Sequence, residues 1–218
     1  MGLLDALLGR SRPVRPDLDR LFALPAAAVT LEAGAGLLPT GVGSVCFASV
    51  EGGAFQQLRR DVRKLLDADV ARGGEGVEGG GEDAGVPVEF SQDEYGYTWL
   101  VARHRPSQLG ELVGDLHAVN TLLEENGFGP QLLCSLAGFR SAGPEEGGAA
   151  GEAAGAARSL ALVYLYKRGS FYPFAPRPGR GEQRDSALEL QMRGLLTDDL
   201  PVEPDLGRWF PLWAAPGL

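Results

Sequence analysis

Residues that hold metals or start covalent chemistry are scarce here: of 218 residues, only 2 are Cys and 2 are His. They stand far apart, at Cys46, His104, His117 and Cys134. No C-x-x-C pair exists, and the four make a poor zinc set. H-E-x-x-H, G-x-S-x-G and the Walker A spacing are all absent. Gly41-x-Gly43 precedes a strand-like run instead of linking a strand to a helix, which excludes a nucleotide loop. Spacing leaves open two nucleophile–base pairs that would meet only in space, Cys134 with His117 or Cys46 with His104. Each cysteine nevertheless sits in an apolar run and reads as a small buried hydrophobe, and His117 reads as structural. The expectation is a protein that is not an enzyme, with no catalytic residue, no metal and no cofactor.

Positive charge is also short. A formal net charge of −9 argues against non-specific binding of nucleic acid, which needs a basic surface. No apolar run approaches the roughly 20 residues of a membrane-spanning helix, and no secretory signal is visible. The expected location is the cytoplasm, with peripheral contact at the inner face of the cell membrane as a further expectation.

What the chain does have is glycine and proline, 32 and 15 residues, in clusters. Residues 72–85 and 142–157 carry few large apolar side chains and are expected to be disordered inserts. The rest reads as a single α+β domain spanning 1–218, preceded within it by a short amphipathic segment, 1–12. Leu3, Leu4, Leu7 and Leu8 fall on one side of that segment and basic residues follow, so it either packs on the domain or makes weak membrane contact.

The strongest strand signal is Leu160–Lys167, apolar on both faces and therefore covered on both sides. Lys167-Arg168-Gly169-Ser170 then predicts a tight turn, with Gly169 at positive φ. Phe171–Phe174 is extended, and Pro173 places it at a strand end or sheet edge. Arg177, Arg180 and Arg184 lie in a Gly/Pro loop before a helix capped by Asp185. They read either as a solvated connector or as an anion site.

Upstream, Pro16 and Asp17 start a short helix that Pro25 ends. Ala28–Glu32 and Val42–Val50 read as strands. Phe55, Leu58, Val62, Leu65 and Leu66 form the apolar side of a helix whose other face is basic. Val86–Arg103 is a hairpin turning at Asp93–Gly96. Ser107 caps a helix with the stripe Leu109, Leu112, Val113, Leu116, Val119, Asn120 and Leu123. Gln131–Phe139 pairs with Leu160–Lys167. The tail Pro201–Leu218, with Trp209, Phe210 and Trp213, either packs back over the core or docks a partner. The fold class is thus two-layer α+β, a mostly antiparallel sheet with helices on one face. Its element order looks like that of type III secretion chaperone-like or YbjN-like proteins, an analogy from which function does not follow.

Four runs carry a more specific likeness: MGLLDALLGRSRP, DLHAVNTLLEENGFGPQLLCSL, LVYLYKRGSFYPFAPRPGRGEQRD and PVEPDLGRWFPLW. They resemble the PspA-associated protein PspAB family of actinobacteria. The resemblance implies a protein of the phage-shock envelope-stress system, associated with the membrane-remodelling coiled-coil protein PspA and with an HtpX-type membrane metalloprotease. It implies no catalytic residues. The expected role is a non-enzymatic adaptor, with Lys167, Arg168, Phe171, Tyr172, Phe174, Trp209, Phe210 and Trp213 as candidate partner-binding residues. The alternative is an anion or small-ligand sensor built on Arg177, Arg180 and Arg184.

Overall fold

Alternation along the strands assigns every large side chain to one of two faces. In the segment Ser159–Leu165, Leu160, Leu162 and Tyr164 point to one side and Ala161 and Val163 to the other, and all five are buried. The sheet is therefore covered twice, as its apolar pattern requires. The computed structural model describes residues 16–48, 53, 56, 57, 60, 62, 89–141, 157–177, 181–213 and 215–218. The segment 1–12, the insert at 72–85 and all of 142–157 except Ala157 lie outside the described residues, as does most of the basic helix. Of that helix, Gln56, Gln57, Arg60 and Val62 are described and helical, with Val62 in the core.

The described elements run α1 (Leu24–Ala35), β1 (Leu37–Ala48), β2 (Glu89–Gln92), β3 (Tyr97–Arg103), α2 (Leu109–Leu123), β4 (Leu132–Ser141), β5 (Ser159–Leu165), β6 (Ser170–Phe174) and α3 (Ser186–Leu195). Six strands form one antiparallel sheet in the order β2-β3-β1-β4-β5-β6. The predicted turn between β5 and β6 forms, with Gly169 at φ 62°. Pro173 lies on β6, an edge strand of this sheet, where a missing N–H costs no ladder bond on the outer side. That edge is blunted by the chain itself. The Phe171 amide donates to the Pro201 carbonyl (2.9 Å), and the Glu203 amide donates to the Phe171 carbonyl (2.7 Å).

The three α-helices α1, α2 and α3 lie on one face. The predicted stripe of α2 is buried throughout, from Leu109 to Leu123. α1 contributes Leu24, Ala27, Ala28 and Leu31, and α3 contributes Leu188 and Met192. Before α1, a 3-10 turn at Leu18–Ala23 is tied to the sheet: the Tyr164 hydroxyl donates to the Asp17 carbonyl (2.9 Å), and Arg20 donates to the Gly169 carbonyl.

Three expectations fail here. Ala28–Glu32 is not a strand but the middle of α1, and Pro25 opens that helix instead of ending the one before it. Proline lacks only an N–H that a first helical turn leaves unpaired anyway, and the following alanines favour helix over strand. The cap of α2 is also misplaced. The N-cap position is Gln108, not Ser107, and no side chain caps the helix there.

Candidate functional site

The second face of the sheet is closed by the C-terminal strap. Trp209 and Ala215 are buried against Cys46, Trp99, Cys134, Leu136, Val163, Tyr172 and Phe174. The Tyr172 ring stacks on Trp209 (6.0 Å) and Phe174 meets Trp213 edge-on (5.2 Å). The Tyr172 hydroxyl donates to the Phe210 carbonyl (2.8 Å), and Ser44 Oγ donates to the Pro216 carbonyl (3.0 Å). A Cβ added to Gly138 would lie 2.1 Å from the Gly217 carbonyl oxygen, so the strap presses on the bare backbone of β4.

Two charged clusters lock this strap. Arg184 Nε and Nη2 grip both oxygens of Glu189 (3.0 and 2.9 Å), and its Nη1 donates to the Trp209 carbonyl (2.6 Å). Glu189 also accepts from the Ala175 amide (2.9 Å), and the guanidinium lies over the Phe174 ring (5.4 Å). The other cluster centres on Glu203, buried at 1% exposure. Its carboxylate accepts from Ser170 Oγ (2.7 Å), the Asp205 amide (3.2 Å) and Arg208 Nη1 (3.2 Å), with Arg168 at 3.6 Å. Burial by itself raises the Glu203 pKa. The bonds from Ser170, Asp205 and Arg208 and the charge of Arg168 outweigh it, and the net shift is downward.

A lowered carboxylate pKa stabilises the fold above the unfolded value and ceases to do so as pH falls through the folded value. The strap is therefore expected to loosen in acid, below the ordinary carboxylate range of about 4. Between about pH 6 and pH 2 the Tm of the native chain should fall more steeply than that of Glu203→Gln, read by tryptophan fluorescence. Parallel curves would remove Glu203 from the account.

Burial divides the candidate residues. Phe171, Tyr172, Phe174 and Trp209 are core. Their alternation with polar neighbours is weak because both faces of β6 are covered, and they offer no surface to a partner in this state. Trp213 is partly buried, and Lys167, Arg168 and Phe210 remain exposed. Arg184 has its donors engaged inside the protein, and Arg177 faces Asp185 at 3.8 Å. Arg180 lies outside the described residues. Asp185 caps α3 through the Leu188 amide (3.1 Å), placing a carboxylate where an anion would bind. Cys134 and His117 lie on opposite sides of the sheet, and so do Cys46 and His104. His117 Nε2 sits 3.2 Å from Asp19 with its ring on Phe22, while His104 Nε2 sits 2.7 Å from Asp115 of α2. Among the described residues, no three His, Cys, Asp or Glu side chains converge as a metal site, and no helix is long and apolar enough to cross a membrane.

The feature that sequence reading missed is the outer face of α1. Phe22, in the 3-10 turn that leads into α1, is 53% exposed and Val29 66%. Ala26 and Ala33 are exposed with them, at steps of four, three and four. The helix LPAAAVTLEAGA is thus apolar on both sides, although only one side meets the core. Such a helix is ordinarily covered all round. The helical reading of Pro25 followed by three alanines would have revealed it; reading a strand there hid it.

Fold and surface define a small antiparallel α+β protein that closes one sheet face with its own tail and leaves an apolar helix face outward. The chain belongs to the PspA associated protein B family, PspAB, whose model matches residues 1–217. No curated protein and no solved structure matches it.

Proposed function

We propose that the chain is a non-enzymatic adaptor of the PspA-linked envelope stress response, and that it binds a PspA-like coiled-coil protein through the outer face of α1. The observation that carries this reading is the apolar stripe of Phe22, Ala26, Val29 and Ala33, exposed among the described residues and of the kind that packs against a helix. The family's name, PspA associated protein B, supports the choice of partner. The adaptor works in the cytoplasm at the inner face of the membrane, with an HtpX-type protease as a second partner and Leu3, Leu4, Leu7 and Leu8 assisting recruitment.

Affinity capture tests the reading. Full-length tagged chain, with and without residues 1–12, is incubated with detergent-solubilised native extract, and bound proteins are identified by mass spectrometry. Enrichment of a PspA-like protein is expected, and its loss on truncation would give the N-terminal segment a part in recruitment. Absence of any PspA-like protein from the full-length capture would contradict the proposal.

A further inference from the structure

Cys46 on β1 and Cys134 on β4 are direct cross-strand partners. Both face the strap, and both are free thiols. Opposed residues of antiparallel strands have Cα atoms about 4.5–5.5 Å apart, inside the span of roughly 4.4–6.8 Å that a disulfide bridges. The ladder slips immediately beside the pair, between Cys46 and Phe47.

The closed protein protects the pair. Cys46 and Cys134 are 2% and 5% exposed. The hydrogen bond to Cys134, then burial, then the nearby Cys134 and Asp93 charges hold the Cys46 thiol well above its usual range. A thiol in that state is a poor nucleophile until water reaches it. Trp209 and Ala215 of the strap belong to the same buried cluster as both cysteines, so lifting the strap would open that cluster to water.

We propose that Cys46 and Cys134 form a modification site, a dithiol that closes to a disulfide, with a hydroperoxide as oxidant, when the strap lifts. One thiol loses its proton and its sulfur attacks the peroxide. The O–O bond breaks, one oxygen stays on sulfur as sulfenic acid, and the other leaves as water or alcohol. The second sulfur then attacks the first, the S–O bond breaks, and the leaving hydroxide takes up the second thiol proton as water. Two electrons pass from the two cysteines to the peroxide. The bridge pins β1 to β4 and is reversed by thiol exchange.

The test uses the full-length chain and hydrogen peroxide, followed by denaturing alkylation, intact mass and peptide mapping. The native chain should lose both alkylation sites together and yield a Cys46–Cys134 cross-linked peptide that dithiothreitol abolishes. Arg184→Met, with its strap loosened, should form the cross-link several-fold faster. Tyr172→Phe, which removes only the bond to the Phe210 carbonyl, is the milder variant should Arg184→Met not fold. In Cys134→Ser, Cys46 should stop at a sulfenic acid that dimedone traps. Separate oxidation of each thiol to sulfinic acid without a cross-link would overturn the site. A cross-linking rate unaffected by loosening the strap would overturn its gating.

Discussion

Replacing Gly41 with alanine is expected to cost about 2–5 kcal/mol, from positive-φ strain together with overpacking. For a chain of this length that is a fall of roughly 5–15 °C in Tm. Gly41 lies in β1 at φ 76°, and a Cβ there would stand 2.1 Å from the His104 carbonyl oxygen. The contact is backbone on backbone and cannot be relieved by a rotamer change. The His104 amide in turn donates to the Gly41 carbonyl (2.8 Å), and the imidazole reaches Asp115 of α2. Gly41 therefore seats the junction that bolts the sheet to its longest described helix. Gly110→Ala on α2 is the control, since an added Cβ there meets nothing within 4 Å. It should gain up to about 1 kcal/mol from helix propensity. Calorimetry of the two variants against the native chain checks both signs.

Arg184→Met is expected to lose about 3–5 kcal/mol, the usual result of leaving a buried carboxylate without its partner. Glu189, 3% exposed, would keep only the Ala175 amide, and the Trp209 carbonyl would lose its donor. Arg184→Lys should recover only part of this, because an ammonium cannot grip both oxygens in a fork. The double variant Arg184→Met/Glu189→Gln should recover more than half, since it removes the stranded charge and retains an acceptor for Ala175. Urea denaturation of the native chain, Arg184→Met, Glu189→Gln and the double variant forms the cycle, with Arg184→Lys measured beside it. A cost near zero for Arg184→Met would mean that the pair is a surface ornament.

The sheet was legible in the sequence wherever apolar runs were long. The strand from Leu160, which ends at Leu165, two residues earlier than expected, the turn at Gly169, the α2 stripe and the Asp185 cap follow composition and spacing. Long apolar runs bounded by glycine or proline leave few alternatives. α1 was illegible for the opposite reason. With alanine, valine and leucine all round, it has no polar face to reveal a helical period, and Val29-Thr30 imitates a strand. The tail was half legible. Its aromatics show that something is covered, but partners such as Tyr172 with Phe210 or Ser44 with Pro216 are distant in the chain and set only by folding. The arginine loop misled because charge in a sequence carries no record of its partner. Arg184 looks available until Glu189, one turn into α3, closes on it.

The most direct measurement is titration calorimetry of the purified chain against a purified PspA-like protein from the same genome. Three forms are compared at matched fold by circular dichroism: native, Phe22→Asp/Val29→Asp, and Phe210→Asp. If the outer face of α1 holds the partner, the double variant should lose at least about tenfold in affinity, as removal of a central apolar anchor does. Phe210→Asp should then bind within about twofold of native, as rim positions do. Full affinity in the double variant, with binding abolished by Phe210→Asp, would return the partner to the tail and contradict the assignment to α1.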